Sequence, residues 1–211
     1  MEILLDTANF EEIEEMADVK WVKGVTTNPT FFKRQGINNI HEFVDKYFAI
    51  TQQDLHLELM NEEDEKYFEK SSYTIIAKVP FSKQGVALLS YYKSKGIEVN
   101  MHLVYSVNQA LLAAKAGARY ICVLMGRFDD TGQDAFTVLT KMKQAYNNFD
   151  IETKIMAASV RHPLHVEQAA LIGLDAITIP YSVINKMYDH PLTERGITDF
   201  EADNCSTKLY E

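Results

Sequence analysis

The chain has 211 residues, of which 46% are hydrophobic and 24% charged, with a formal net charge of −9. That length suits one domain with a sizeable core, residues 1–211, rather than two. The acidic balance repels polyphosphate and anionic lipid, so a general nucleic-acid binder or a protein of anionic membrane surfaces is disfavoured.

The first residues, Met1-Glu2-Ile3-Leu4-Leu5-Asp6, carry neither a basic stretch nor a long apolar run. The expectation is therefore no signal peptide, no membrane span and a cytoplasmic location. From there, short apolar runs recur at residues 3–6, 22–26, 55–60, 74–79, 97–104, 120–125, 154–159 and 176–180. Between them lie stretches with helical spacing. Asn9 followed by Glu12 resembles a capping box opening the first helix. Val107, Ala110, Leu111 and Ala114 follow Ser106 as N-cap and precede Gly117 as the stop. Ala135, Val138, Leu139 and Met142 repeat the pattern, as do Val166, Ala169 and Ala170 between Pro163 and Gly173. Pro29, Pro80 and Pro180 are expected just after strands, and Pro163 and Pro191 at helix starts.

Alternating strands and helices predict βα units around a parallel sheet. Eight of them predict a single-domain (β/α)₈ TIM barrel with a C-terminal helical extension. The alternative, a doubly wound open sheet, would want a Gly-rich first turn. The first run here ends in Asp-Thr-Ala-Asn instead.

In a barrel, catalytic side chains gather at the C-terminal ends of strands. Those ends carry Asp6, Thr26 to Asn28, Glu58, Lys78, Asn100 with His102, Arg127, and Ser159 with Arg161. Lys78 stands inside the apolar run Thr74-Ile75-Ile76-Ala77-Lys78-Val79-Pro80, where desolvation disfavours an ammonium. A neutral amine in a pocket is suited to carbonyl attack and Schiff-base formation. A lysine snorkelling to water or paired with a carboxylate is the other reading of that run. Asp6 and Glu58 interrupt apolar neighbours and could divide the proton transfers such chemistry needs. Asp6 could instead serve the start of the first helix, and Glu58 could simply balance Lys78. Arg127, Ser159 and Arg161 suit a phosphate or other oxyanion.

His162 and His165 form an H-x-x-H pair, but no carboxylate or third ligand is evident in the sequence. The expectation is two surface histidines and no metal. Cys122 and Cys205 are expected to be free thiols.

Leu5-Asp6-Thr7, Gly24-Val25-Thr26-Thr27-Asn28-Pro29-Thr30, Lys78-Val79-Pro80, Gly126-Arg127 and Ala157-Ala158-Ser159-Val160-Arg161 occur in order along the chain. Through them it resembles, nearly end to end, the small transaldolases and fructose-6-phosphate aldolases, which are class I aldolases. The resemblance implies Lys78 as the Schiff-base lysine and Asp6 as the acid/base for carbon–carbon cleavage. It gives Thr26, Asn28 and Asn100 to the dihydroxyacetone unit, and Arg127, Ser159 and Arg161 to phosphate. Glu58, where the aldolase branch has glutamine, favours the transaldolase branch and a role in activating water. His102 stands where the family has a water-binding threonine. Leu124 stands where it has phenylalanine or tyrosine.

The implied activity is transfer of a dihydroxyacetone unit between sugar phosphates in the pentose phosphate pathway, without a cofactor. Cleavage releasing free dihydroxyacetone is one alternative, and a non-catalytic sugar-phosphate-binding barrel is another. The implied partners are sugar phosphates and further copies of the chain, in a ring-like pentamer or decamer.

Overall fold

A computed structural model describes residues 1–59 and 74–207. Eight parallel strands close into a barrel in chain order, each bonded to the next and the last to the first. They are β1 (Glu2–Asp6), β2 (Val22–Thr26), β3 (Asp54–Glu58), β4 (Ile75–Pro80), β5 (Val99–His102), β6 (Tyr120–Leu124), β7 (Lys154–Ala158) and β8 (Ala176–Ile179). Every expected run holds one strand, and the fold is a (β/α)₈ barrel. Met60, at the end of the third run, lies outside the described residues.

Alternation along each strand separates two apolar regions. Leu55, Leu57, Ala77, Val79, Val99, Met101, Ile121, Val123, Ile155 and Ala157 point outward and join the main core under the helices. Leu4, Ile76, Tyr120, Cys122, Met156, Ala158 and Ala176 fill the barrel interior. Polar residues of the inward parity, His56, Glu58, Lys78, Asn100 and His102, therefore share the barrel lumen or its mouth. At β2, Gly24 is required by packing, because a Cβ there would lie 2.3 Å from the Asp54 carbonyl oxygen.

The helices that frame the mouth are α1 (Phe10–Met16), α2 (Pro29–Arg34), α3 (Ile40–Ile50), α4 (Lys83–Ser94), α5 (Val107–Ala116), α6 (Met125–Asp130), α7 (Ala135–Asn148), α8 (Pro163–Ile172), α9 (Tyr181–Tyr188) and α10 (Pro191–Thr207). Ser106 caps α5 through the Gln109 N–H, and Gly117 ends it at φ 93°. Gly173 ends α8 at φ 75°, the left-handed conformation that glycine adopts without penalty.

Two details differ from expectation. Pro80 is the last residue of β4 rather than the residue after it, opposite His102. At a strand terminus its missing N–H removes little from the ladder. Asn9 does cap α1 through the Glu11 N–H, but Glu12 does not return to Asn9. Glu12 instead accepts from the Thr7 hydroxyl, which itself accepts the Asn9 N–H. The hydroxyl bridges what a capping box would join directly.

Candidate active site

A cavity of about 740 Å³ opens at the C-terminal ends of the strands. Its walls include Asp6, Asn28, Glu58, Lys78, His102, Arg127, Ser159 and Arg161. Eight of the ten residues singled out from the sequence thus meet in one place. They come from β1, the β2–α2 turn, β3, β4, β5, α6 and the β7–α8 loop.

Lys78 is 6% exposed, and its Nζ donates to the Thr27 carbonyl at 2.5 Å. In the sheet it is flanked by Glu58 on β3 and Asn100 on β5. Asp6 accepts a hydrogen bond from Thr26 Oγ1 at 2.7 Å, and that hydroxyl lies 2.6 Å from Thr178 Oγ1. Burial pushes the Asp6 carboxyl above the usual carboxylate range, and the opposing pull of Lys78 and Thr26 is weaker. Glu58 goes the other way. Burial alone would raise its carboxyl, but His102 and then Lys78 together hold it below its ordinary value. His102 Nε2 stands 3.4 Å from Glu58 Oε1 yet has no aligned hydrogen-bond partner among the described residues. The pair is held by charge and proximity more than by a formed bond.

Two carboxyls around one buried amine are therefore driven apart in acidity. Such a divergence separates a group that exchanges a proton from one that stays ionised.

Thr26 and Asn100 lie beneath the cavity rather than on its wall. Asn100 Nδ2 reaches His56 Nδ1 at 3.0 Å and Met156 Sδ at 3.6 Å, while its Oδ1 has no partner among the described residues. Burial, with the Lys78 and Arg119 charges, drives the His56 imidazole down to about 3, so it is neutral at ordinary pH. Asn28 caps α2, its Oδ1 accepting the Phe31 N–H at 3.1 Å, and so holds one polar end at the rim.

At the opposite rim, Arg161 pairs bidentately with Asp130, Nη1 to Oδ1 at 2.6 Å and Nη2 to Oδ2 at 2.7 Å. Arg127, on α6, stands 3.9 Å from the same carboxylate with 64% of its side chain exposed. Ser159 adopts φ 53°, an uncommon left-handed conformation for a residue with a Cβ. Gly126 lets α6 approach this turn, because a Cβ there would lie 2.3 Å from Arg161 Nε and 2.6 Å from the Ser159 carbonyl.

His165 departs from the surface position expected of it. It is 3% exposed, and its Nε2 lies 3.0 Å from Asp129 Oδ2. Asp129, His162 and His165 each bring a potential ligand atom within 4.8 Å of the others. The carboxylate that the sequence did not reveal is Asp129 on α6, 33 positions before His162 and 36 before His165, too far for a local motif. The Arg161 backbone N–H points at His165 Nδ1 at 3.4 Å, however, which places the imidazole proton on Nε2, toward Asp129. This is a hydrogen-bonded brace rather than an open set of lone pairs.

Among the cavity residues that the sequence did not assign to the site are Cys122, Thr178, Arg34 and Tyr181. Cys122 has the inward parity of Tyr120 and Leu124, which was a usable signal. Burial pushes its thiol up to about 12, so it is not a nucleophile.

The mouth of a closed β/α barrel thus holds a buried lysine near two carboxyls, with two arginines at its rim. Residues 3–211 match the model of the Transaldolase/Fructose-6-phosphate aldolase family, and the chain belongs to that family. Among its relatives, a probable transaldolase of Carboxydothermus hydrogenoformans is 42% identical over 209 residues, covering 96% of this chain and 97% of that protein. A probable transaldolase of Methanococcus maripaludis strain C7 is 39% identical over the same length and coverage. One from Methanococcus vannielii is 38% identical.

Proposed function

We propose that the chain, as one catalytic unit over residues 1–211, is a class I transaldolase that moves a dihydroxyacetone unit between sugar phosphates. The observation that carries this reading is the buried Lys78 in register with Glu58, with Asp6 pushed toward holding a proton. In the mechanism, the Lys78 amine attacks the ketose carbonyl to give a carbinolamine. Glu58, with His102, handles the proton of the water that is expelled, leaving a Schiff base. Asp6 then takes the proton from the hydroxyl on the far carbon of the bond to be cut, and that carbon becomes the aldehyde carbonyl of the departing fragment. That bond breaks, its electrons move to the Schiff-base nitrogen as an enamine, and an aldose phosphate leaves. An acceptor aldose phosphate enters and the steps reverse, so no redox cofactor is needed.

Asn28 at one rim suits the hydroxyls of the three-carbon unit, with Thr26 and Asn100 acting from beneath by holding Asp6 and His56. Arg127, Ser159 and Arg161 at the other rim suit the phosphate. Membership of the family is what supports the further proposal of a role in pentose phosphate metabolism, in the cytoplasm. No helix among the described residues is long and apolar enough to cross a membrane.

Borohydride added with fructose 6-phosphate should fix a reduced three-carbon adduct on Lys78, read by peptide mass spectrometry. An unmodified Lys78 under those conditions sinks the mechanism. Leu124 on the cavity wall favours no phenol-assisted release of the three-carbon unit, so free dihydroxyacetone should accumulate only when acceptor is withheld. Self-association is also proposed. Leu192, Ile197 and Phe200 leave apolar surface exposed on α10, as a helix buried between copies would. Light scattering that finds only monomer would refute it.

A further inference from the structure

Resting on that reading of the rim, we infer that Asp130 is an internal competitor for the phosphate site, holding the Arg161 guanidinium until a phosphorylated substrate displaces it. Asp130 ends α6 and is exposed, so its side chain can leave by a rotamer change without disturbing the core. While in place it occupies both Nη groups of Arg161 and stands 3.9 Å from Arg127. Those are the donors that a phosphate would need end-on.

A positioning role is the obvious rival, and the surroundings argue against it. Arg161 is already fixed from other directions. Its Nε and Cδ pack on Gly126 so closely that a Cβ would collide with them. Its backbone N–H is directed at His165, which is in turn braced by Asp129. The guanidinium therefore keeps its place at the cavity edge without Asp130. A phosphate monoester carries about −1.5 to −2 charges and three acceptor oxygens, against one charge and two oxygens for the carboxylate. It can win the exchange, and the carboxylate's return would help the product depart.

The test compares wild type with Asp130→Asn and Asp130→Ala. Calorimetric titration with inorganic phosphate should give affinity raised about fivefold in both variants, the size expected of one exposed charge pair. The ratio of KM for an unphosphorylated ketose to KM for fructose 6-phosphate should rise by the same factor. In an Arg161→Ala background, Asp130→Asn should no longer tighten phosphate. Phosphate binding that weakens or stays the same in both single variants overturns the inference, as does tightening that persists without Arg161. The phosphate titration needs no turnover. Failure to trap an adduct on Lys78 would therefore reject the proposed reaction while leaving this exchange to be judged separately.

Discussion

The two ends of the barrel use the same residue types in opposite ways. At the N-terminal end, Glu2 Oε1 lies 2.6 Å from Lys154 Nζ, and the Tyr120 hydroxyl donates to Glu2 Oε2 at 3.0 Å. Arg119 and Lys154 both approach the Tyr120 ring face, at 5.5 and 5.4 Å. Asp175 bonds Lys143 at 2.7 Å and takes the Ile155 N–H at 2.9 Å. Glu2 and Asp175 there each meet a lysine at close range. At the C-terminal end, the bond of Lys78 goes to a backbone carbonyl, and His102 reaches Glu58 only at 3.4 Å. A charge fully matched within the protein can serve a ligand only once its partner is displaced. One held short of its partners is costly to the fold and available to chemistry. Stability belongs to the lower end and reactivity to the upper, the division that barrels of this kind maintain.

The sharpest way to break that division is Lys78→Met. Turnover should fall by on the order of 10⁴-fold or more, since the covalent step is lost outright. Stability should hold or rise, because a buried amine is exchanged for an apolar chain of similar length. Steady-state rates and the urea midpoint measure the two effects. A loss of more than about 2 kcal/mol in unfolding free energy, the product of midpoint and slope, would mean that Lys78 belongs to the scaffold. Glu58→Gln is expected to do less, on the order of 10²- to 10³-fold in kcat, as removal of one proton-transfer group does. Asp6 remains to serve cleavage, so the loss should fall on Schiff-base formation. The rate of borohydride trapping should drop in proportion to kcat. Trapping at the wild-type rate would shift the role of Glu58 to a later step.

The barrel was legible in the sequence because parallel strands buried on both faces read as apolar runs, and each run was short. Lys78, Asp6 and Glu58 stood out for the same reason, as charges in apolar company. Parity along the strand carried further information than was drawn from it. His56 and Cys122 share the inward phase of Glu58 and Leu124, and an alternation count would have placed both in the lumen. The Arg161–Asp130 pair had no such signal. Its partners are 31 positions apart, one at the end of the short helix α6 and the other in the β7–α8 loop, and neither segment is long enough for a periodicity that fixes where side chains point. His165 was misplaced because α8 has apolar residues on several faces. Only the packing tells that His165 shares the inner face with Val166 and Ala169.

The smallest effect tests the lower end, through Glu2→Gln. Burial would raise the Glu2 carboxyl, but Lys154 and Tyr120, helped by Arg119, hold it below its ordinary 4.5 in the folded protein. A carboxyl lowered by folding adds stability above its unfolded value and loses that contribution as pH falls through the folded one. Lys154 is shifted upward, so its share is complete below about 10.5 and cannot produce a change in acid. Glu2 is a third exposed, and solvent limits the pair to about 1 kcal/mol or less. Glu2→Gln should therefore unfold at lower urea than wild type at pH 7. The gap should narrow as pH drops below 4.5, where the wild-type carboxyl also becomes neutral. Turnover at pH 7 should not change, because neither Glu2 nor its partners Lys154 and Tyr120 line the cavity. A gap that stays constant into acid would mean the glutamate acts by packing, and a lower rate would mean that the two ends are coupled.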